Sequence, residues 1–445
     1  MKFLIYLLIA LSPLPLASTR PLWQWLWVLV VGLMAIAFLI KFMRGHEISW
    51  PKAIILPAAL VFLFVMWGFV QAYVPITQRI VVDGLPVFKT ISVNPMLTAN
   101  NTLYFLAHLL FFLGVFALCI GRAKAIDLLK SIGIASGIYA TYGFIVYISG
   151  NDTILWIEKW ENLSSLTSTF VNRNNYAAYA GIGLQCLVAY MIFWTQDELA
   201  KGLHGRELFR HFLNAIIRKV WWLPLAISIT LSALLLSNSR AGFGSIAISV
   251  FILVIISLNR NRNDNFTIIK PVVTVAIMIA LIAVFFAISG EGMDQRLQRR
   301  DVALDIRFKA YPYMIQAIMD QPLTGFGLGS FDEVFRVYRG ADVTTYFDRA
   351  HNDYLEIVMN AGIPAAIIIV VACALPLITL LSALKQGAQY RSFIALGITV
   401  TLQLGLHSLV DFSLQIPAVS YTWVTIIAAS LAIAIRCRKE NIASC

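Results

Sequence analysis

Four groups of ionisable residues in this chain have the types and spacing for chemistry. Arg240 lies in "LLLSNSRAGFGS", and Arg307 sits one helical turn before Tyr311 in "DIRFKAYPY". His351, Asn352 and Asp353 are consecutive, and His407 and Asp411 are four apart in "HSLVDFSLQIP". A guanidinium can grip two oxygens of a phosphate at once, and an imidazole can take a proton from a hydroxyl near neutral pH. Each group also has a plainer reading. Arg240 is accounted for by a cation that snorkels to lipid headgroups, and Arg307 by the surface charge of an amphipathic helix. Asn352 or Asp353 can cap a helix, although a cap leaves His351 beside them unexplained. His407 and Asp411, on one helix face, fit a buried structural pair.

The elements that must position these residues are apolar. The chain has 445 residues, of which 59% are hydrophobic and 13% charged, with a mean hydropathy of +0.78. Runs long enough to cross a hydrocarbon core of about 30 Å recur from end to end. The expected fold is an all-α polytopic membrane protein, one integral membrane domain over 1–445. Twelve spans are placed near 3–18, 22–42, 53–73, 102–120, 126–149, 174–194, 221–238, 241–258, 270–289, 354–383, 392–411 and 418–435. The first, broken by Pro13 and Pro15, could be a signal peptide, but "PLPLAS" is a poor cleavage site and an uncleaved span is favoured.

Lys and Arg set the orientation. "KFMRGHEISWPK", "GRAK", the stretch 195–220, "NRNRND", "KQGAQYR" and "RCRKE" fall on one side if the spans alternate. Those loops are expected in the cytoplasm with both termini, and the net charge of +11 is mostly this signal. It is no nucleic-acid footprint, because the basic residues are scattered without an aromatic-basic motif. The long segment 290–350 then lies outside, as a periplasmic loop between spans nine and ten. Its eight Arg/Lys and nine Asp/Glu nearly balance. Of the five cysteines, Cys119, Cys186 and Cys373 lie within spans, and Cys437 and Cys445 follow the last one, so no outer loop holds a disulfide.

The outer loop reads as helix, turn, helix, with Pro312 expected to kink or restart the first helix. "GFGLGSF" lacks the Lys-Ser/Thr of a phosphate-binding loop. No HExxH, CxxC or GxSxG pattern occurs in it, and neither a metal nor a nucleotide cofactor is expected. "SLTSTFVNRNNYAAYAGIGL", dense in Asn and aromatics, suits either a polar vestibule or a hydrated interfacial loop.

In this order, "SNSRAG", "IRFKAYPYMIQAIMDQPLTGFGLGSF", "HNDYLEIVMNAGIPA" and "HSLVDFSLQIPA" resemble the O-antigen ligase/polymerase family of bacterial inner-membrane glycosyltransferases. The resemblance covers 165–435 and is strongest over 300–365. It implies transfer of a glycan from an undecaprenyl-diphosphate carrier, at the periplasmic face, to lipid A–core in a ligase or to another carrier-linked glycan in a polymerase. The functional positions it carries over are Arg240, Arg307 and His351, with Asp353, Asn352, Tyr311, His407 and Asp411 as orienting or supporting candidates. Tyr311 stands where many relatives have Trp, which changes the packing expected after the loop Arg.

The residues fit that chemistry. A diphosphate leaving an anomeric carbon gathers negative charge that two guanidiniums can hold, and His351 can accept the proton of the attacking hydroxyl. The energy lies in the carrier linkage, so no nucleotide is needed, and direct displacement inverts the anomeric centre. The expected partners are the carrier-linked donor, the glycan acceptor and membrane lipid. The rival reading is a twelve-span transporter or glycan flippase, whose polar residues would gather near mid-membrane and whose halves would be related.

Overall fold

The computed structural model describes the chain except residues 15, 46–49, 83–84, 200–206, 208–209, 212–213, 259–292, 386–389 and 444–445. It is mostly helical. The helices are α1 (Lys2–Leu11), α2 (Pro21–Met43), α3 (Lys52–Tyr73), α4 (Pro95–Leu118), α5 (Arg122–Ile148), α6 (Arg173–Leu199), α7 (Trp222–Leu236), α8 (Arg240–Leu258), α9 (Met293–Asp320), α10 (Phe331–Tyr338), α11 (Asp353–Ala361), α12 (Ile363–Leu384), α13 (Arg391–His407) and α14 (Pro417–Ala443). Two antiparallel hairpins interrupt them, β1 (Pro75–Val82) with β2 (Leu85–Thr90), and β3 (Thr153–Ile154) with β4 (Ile157–Glu158). The expectation of an all-α chain is corrected to that extent. β-Branched residues flank the Asp83–Gly84 pair in "IVVDGLPV", a local hairpin signal that a hydropathy reading passes over.

Eight of the described helices are long and apolar enough to cross a membrane: α2 to α6, α8, α12 and α14. The expected twelve reduce for identifiable reasons. The first is a ten-residue helix, ended by a turn in which Leu16, Ala17 and Ser18 take left-handed backbone. With 15 residues, α7 rises roughly 22 Å, short of a full crossing; α13, with 17 residues, is also short. The ninth, at 270–289, lies outside the described residues.

The expected tenth span, 354–383, is two helices. Gly362, at φ 83°, ends α11, and Pro364 opens α12. The carbonyls freed at the break do not stay empty. Met359 O accepts Phe326 N (3.1 Å), and Asn360 O accepts Gly327 N and Gln71 Nε2 (both 2.9 Å). Ala361 O accepts Trp67 Nε1 (2.8 Å). The turn "TGFGLGS" is thus docked between the break and α3. A side chain at Gly325 would come within 2.5 Å of Asn360 O, and one at Gly362 within 2.4 Å of Leu323 O, so only glycine permits this approach.

The outer segment is helix, turn, helix as expected, but α9 runs unbroken through Pro312, which is exposed. Ala310, Met314 and Ala317 of α9, Phe331 and Phe335 of α10, Phe347 and Met359 form a core separate from the main bundle. The bundle centres on α14, 83% of whose apolar window is buried, against 22% for α2 and α12. On α2, Leu29, Leu33, Ile36 and Ile40 form an exposed apolar stripe, the surface a lipid-facing rim helix presents.

The helix ends sort into two faces. Arg122 covers the Tyr390 ring at 4.6 Å and Arg436 Nη1 donates to Ile120 O at 3.3 Å, gathering the basic ends on one face. The outer segment and the α13–α14 connection meet at the other. In a chain without native cysteines, Val337→Cys (81% exposed) and Lys385→Cys (exposed) sample the two faces. A membrane-impermeant thiol reagent added to intact cells is expected to label position 337 and spare 385. The reverse pattern would put the outer segment in the cytoplasm.

Candidate active site

The connection between α13 and α14, residues 408–416, is where the site assembles. α13 stops at His407 and a 3-10 turn, Ser413–Gln415, leads into Pro417. The N-terminus of α11 is bound along this connection. Asp353 N donates to Ser408 O (3.0 Å), Ser408 Oγ to Asp353 Oδ2 (2.7 Å) and Gln415 Nε2 to Asp353 Oδ1 (2.9 Å). Asn352 Nδ2 donates to Leu409 O (3.1 Å), and Tyr354 Oη to Gly405 O (2.9 Å). Asn352 Oδ1 also accepts Tyr354 N and Leu355 N, capping α11. Asn352 and Asp353 are therefore a cap and a strap.

That strap holds His351 in left-handed backbone, φ 49°, a conformation that costs a non-glycine residue roughly 1–3 kcal/mol. Its ring lies between Phe412 and Phe347, with centroids at 4.9 and 6.0 Å. The side chain is 19% exposed, and Nδ1 stands 3.8 Å from Asp411 Oδ1, beyond hydrogen-bond length. Asp411 is 1% exposed and accepts from Asn174 Nδ2 and from Phe412 N (2.8 Å). Burial alone would raise its pKa. The pull of His351, then the charge of His407 and the Phe412 amide, outweighs burial and holds the carboxyl below its ordinary range.

His407 and Asp411 do not share a helix face. The helix ends between them, so the shared face is corrected; both are buried, and each lies within electrostatic reach of the other. His407 Nδ1 meets Ser413 Oγ at 3.1 Å, and Ser413 Oγ also donates to Asn175 Oδ1 (3.0 Å). Asp411 turns to Asn174 and His351 instead. Tyr311 packs edge-on against Phe308 at 5.7 Å and joins the outer core, where it supports α9 without reaching this connection.

The two arginines approach from different elements. Arg307 Nη1 donates to Val410 O (2.9 Å), so α9 delivers its guanidinium beside Asp411. Arg240, exposed, opens α8. The preceding Ser239 caps that helix by accepting Gly242 N (3.2 Å), and its hydroxyl donates to Asn174 Oδ1 (2.8 Å). Asn174 thereby joins the α7–α8 turn to Asp411. Asn174, Ser239 and Gln415 are the supporting residues that sequence reasoning did not single out. The only signal was the Asn-rich run around 172–175. Arg349, 3.6 Å from the buried Glu356 carboxylate, is a further cation just ahead of His351.

The arrangement can take a proton at an imidazole backed by a buried carboxylate and can hold an anionic group at the Arg307 guanidinium beside Val410. Among the described residues no group of three or more His, Cys, Asp or Glu is placed to hold a metal. Residues 225–370 match the family model described as O-antigen ligase. Over those residues the chain is similar to the O-antigen ligase family. The matched region runs from α7 into α12 and contains Arg240, Arg307 and His351; the α13–α14 connection lies beyond it. No curated protein matches the chain.

Asp353 gives this site a pH signature. Burial is the main cause that pushes its carboxyl up to about 7, against the hydrogen bonds from Gln415 and Ser408; the charges of Glu356 and Asp411 add to the rise. The folded protein then holds this proton more tightly than the unfolded chain. That contribution is complete below the ordinary value of 3.8 and lost as pH rises through about 7. Asp353→Asn is expected to gain stability relative to the unaltered protein over that interval, read as the difference in thermal unfolding at each pH. A pH-independent difference would show that Asp353 does not titrate there.

Proposed function

We propose that the protein transfers a glycan from an undecaprenyl-diphosphate carrier to an acceptor hydroxyl at the periplasmic face of the bacterial inner membrane. The acceptor in this reading is lipid A–core, and the polymerase reaction onto a second carrier-linked glycan would use the same groups. The observation that carries it is convergence on one connection. His351 faces Asp411, Arg307 binds Val410, and Ser239, beside Arg240, reaches Asp411 through Asn174. The O-antigen ligase domain over 225–370 supports this class of reaction.

With Nδ1 turned toward Asp411, Nε2 of His351 is left to accept the proton of the acceptor hydroxyl. Closing the 3.8 Å gap would stabilise the imidazolium as it forms, and such contacts often tighten only with substrate bound. The hydroxyl oxygen forms its bond to the anomeric carbon as the bond to the carrier diphosphate breaks. The electron pair leaves with the diphosphate, whose growing charge Arg307 and Arg240 meet. Attack opposite the leaving group inverts the anomeric centre. Arg307 uses one N–H on Val410 O, which fixes the guanidinium and leaves its other donors for phosphate oxygens. Neither metal nor nucleotide takes part in this reading. A transporter would place its polar residues mid-membrane, whereas His351 and Arg240 stand at helix starts and Arg307 on the outer segment.

His351→Ala is expected to lower turnover by about 10²–10⁴-fold while the purified protein still binds the carrier-linked donor. Wild-type turnover in that variant would reduce His351 to the start of a capped helix. Arg240→Lys and Arg307→Lys keep the charge but lose the planar fork. Each is expected to depress transfer strongly with normal membrane insertion, and wild-type turnover should persist in excess chelator without nucleotide. Near-normal lysine variants, or turnover restored only by a divalent cation, would remove the two-arginine account.

A further inference from the structure

A cavity of about 190 Å³ lies at the end of α5 on the same face as the site, walled by the segment 150–168. Its lining includes Lys159, Asp152, Asn151, Ser165, Thr167 and Leu163. Pockets for drug-sized ligands span about 300–1,000 Å³, so this one has room for a single ring.

Three observations point to a ligand. Lys159 Nζ donates to Ser165 O (2.7 Å) and Asn162 O (3.4 Å), yet no carboxylate among the described residues is within ion-pair range of it. Burial lowers the pKa of its ammonium, partly offset by the charge of Asp152. Thr167 is 1% exposed, and its hydroxyl has no hydrogen-bond partner among the described residues. A hydroxyl left unsatisfied in this way costs stability, and this one has almost no accessible surface, so an occupant reaches it only if the cavity wall adjusts. Finally, the cavity is joined to both turns of the active site. Ser165 Oγ accepts Arg173 Nη1 (3.4 Å), next to Asn174, and Leu166 N donates to Leu236 O (3.0 Å), just before the Ser237–Arg240 turn.

We propose that this cavity is a second binding site that holds one sugar ring bearing a carboxylate or phosphate, from a glycan whose reacting end lies at His351. The anionic group meets Lys159, and Asp152, an acceptor only, takes sugar hydroxyls as donors. The identity of the ring as part of a substrate rests on the transferase reading. Binding itself does not, so the test uses no turnover.

Leu163, 53% exposed, lines the cavity and reports on it. Leu163→Cys in the full chain without native cysteines, in phosphatidylcholine nanodiscs, is labelled with a maleimide in the presence of glucose 6-phosphate, glucuronate, glucose or inorganic phosphate. The expected result is slower labelling with the two anionic sugars and not with glucose or phosphate. Adding Lys159→Met should weaken that protection by about tenfold or more, the size of a lost charge-assisted hydrogen bond. Lys159→Arg should restore much of it, and Thr167→Val should lose less. Overturning results are absence of protection by either anionic sugar, undiminished protection in a monodisperse Lys159→Met protein, or equal protection by inorganic phosphate. Protection by phosphatidylglycerol in the disc without sugar would assign the cavity to a lipid headgroup and also overturn the proposal.

Discussion

The seating of α11 on the α13–α14 connection is the constraint on which the rest of the site depends. A half-buried carboxylate, Asp353, is held by Ser408 and Gln415, while Asn352 caps the helix and reaches Leu409. Hydrogen bonds to a group taken out of water must be made or paid for in desolvation, which makes this junction specific as well as cohesive. His351 is fixed at its edge. A left-handed histidine persists only where its surroundings determine it, and here the residues on its C-terminal side are bound at five points.

The same junction explains the broken span. If α11 and α12 were one helix, the carbonyls of residues 359–361 would be used internally. The break releases them to bind the glycine-rich turn, Gln71 and Trp67. The outer segment is thereby anchored at both ends, to α3 through its glycines and to α13–α14 through Asn352 and Asp353. Between these anchors its own small core holds α9 at an angle that brings Arg307 to Val410.

Asn174 has a comparable role on the other side. An amide that both donates and accepts can join a serine hydroxyl to a carboxylate, and Asn174 does so between Ser239 and Asp411. The α8 N-terminus, with Arg240, and the imidazole of His351 are thus referred to one buried aspartate. Asp411 stays charged because its partners outweigh its burial. Aromatic rings on two sides of His351 limit the water around it, which strengthens every electrostatic contact within reach.

Much of this was legible in sequence. Apolar length gave most of the spans, and residue type with order singled out His351, Arg240, Arg307 and Asp411, because ionisable groups stand out in a chain with 13% charged residues. The hairpin at 75–90 and the break at Gly362 were missed, since hydropathy averages over a glycine and a proline inside an apolar run. Periodicity also put His407 and Asp411 on one face, whereas α13 ends between them and Asn174, 237 residues before Asp411, takes the aspartate instead. Sequence determined which side chains have the chemistry for transfer, because charge and polarity are properties of residue type. Only the tertiary structure decided which of them meet, because hydrogen bonds across such separations depend on how helices pack and where they stop.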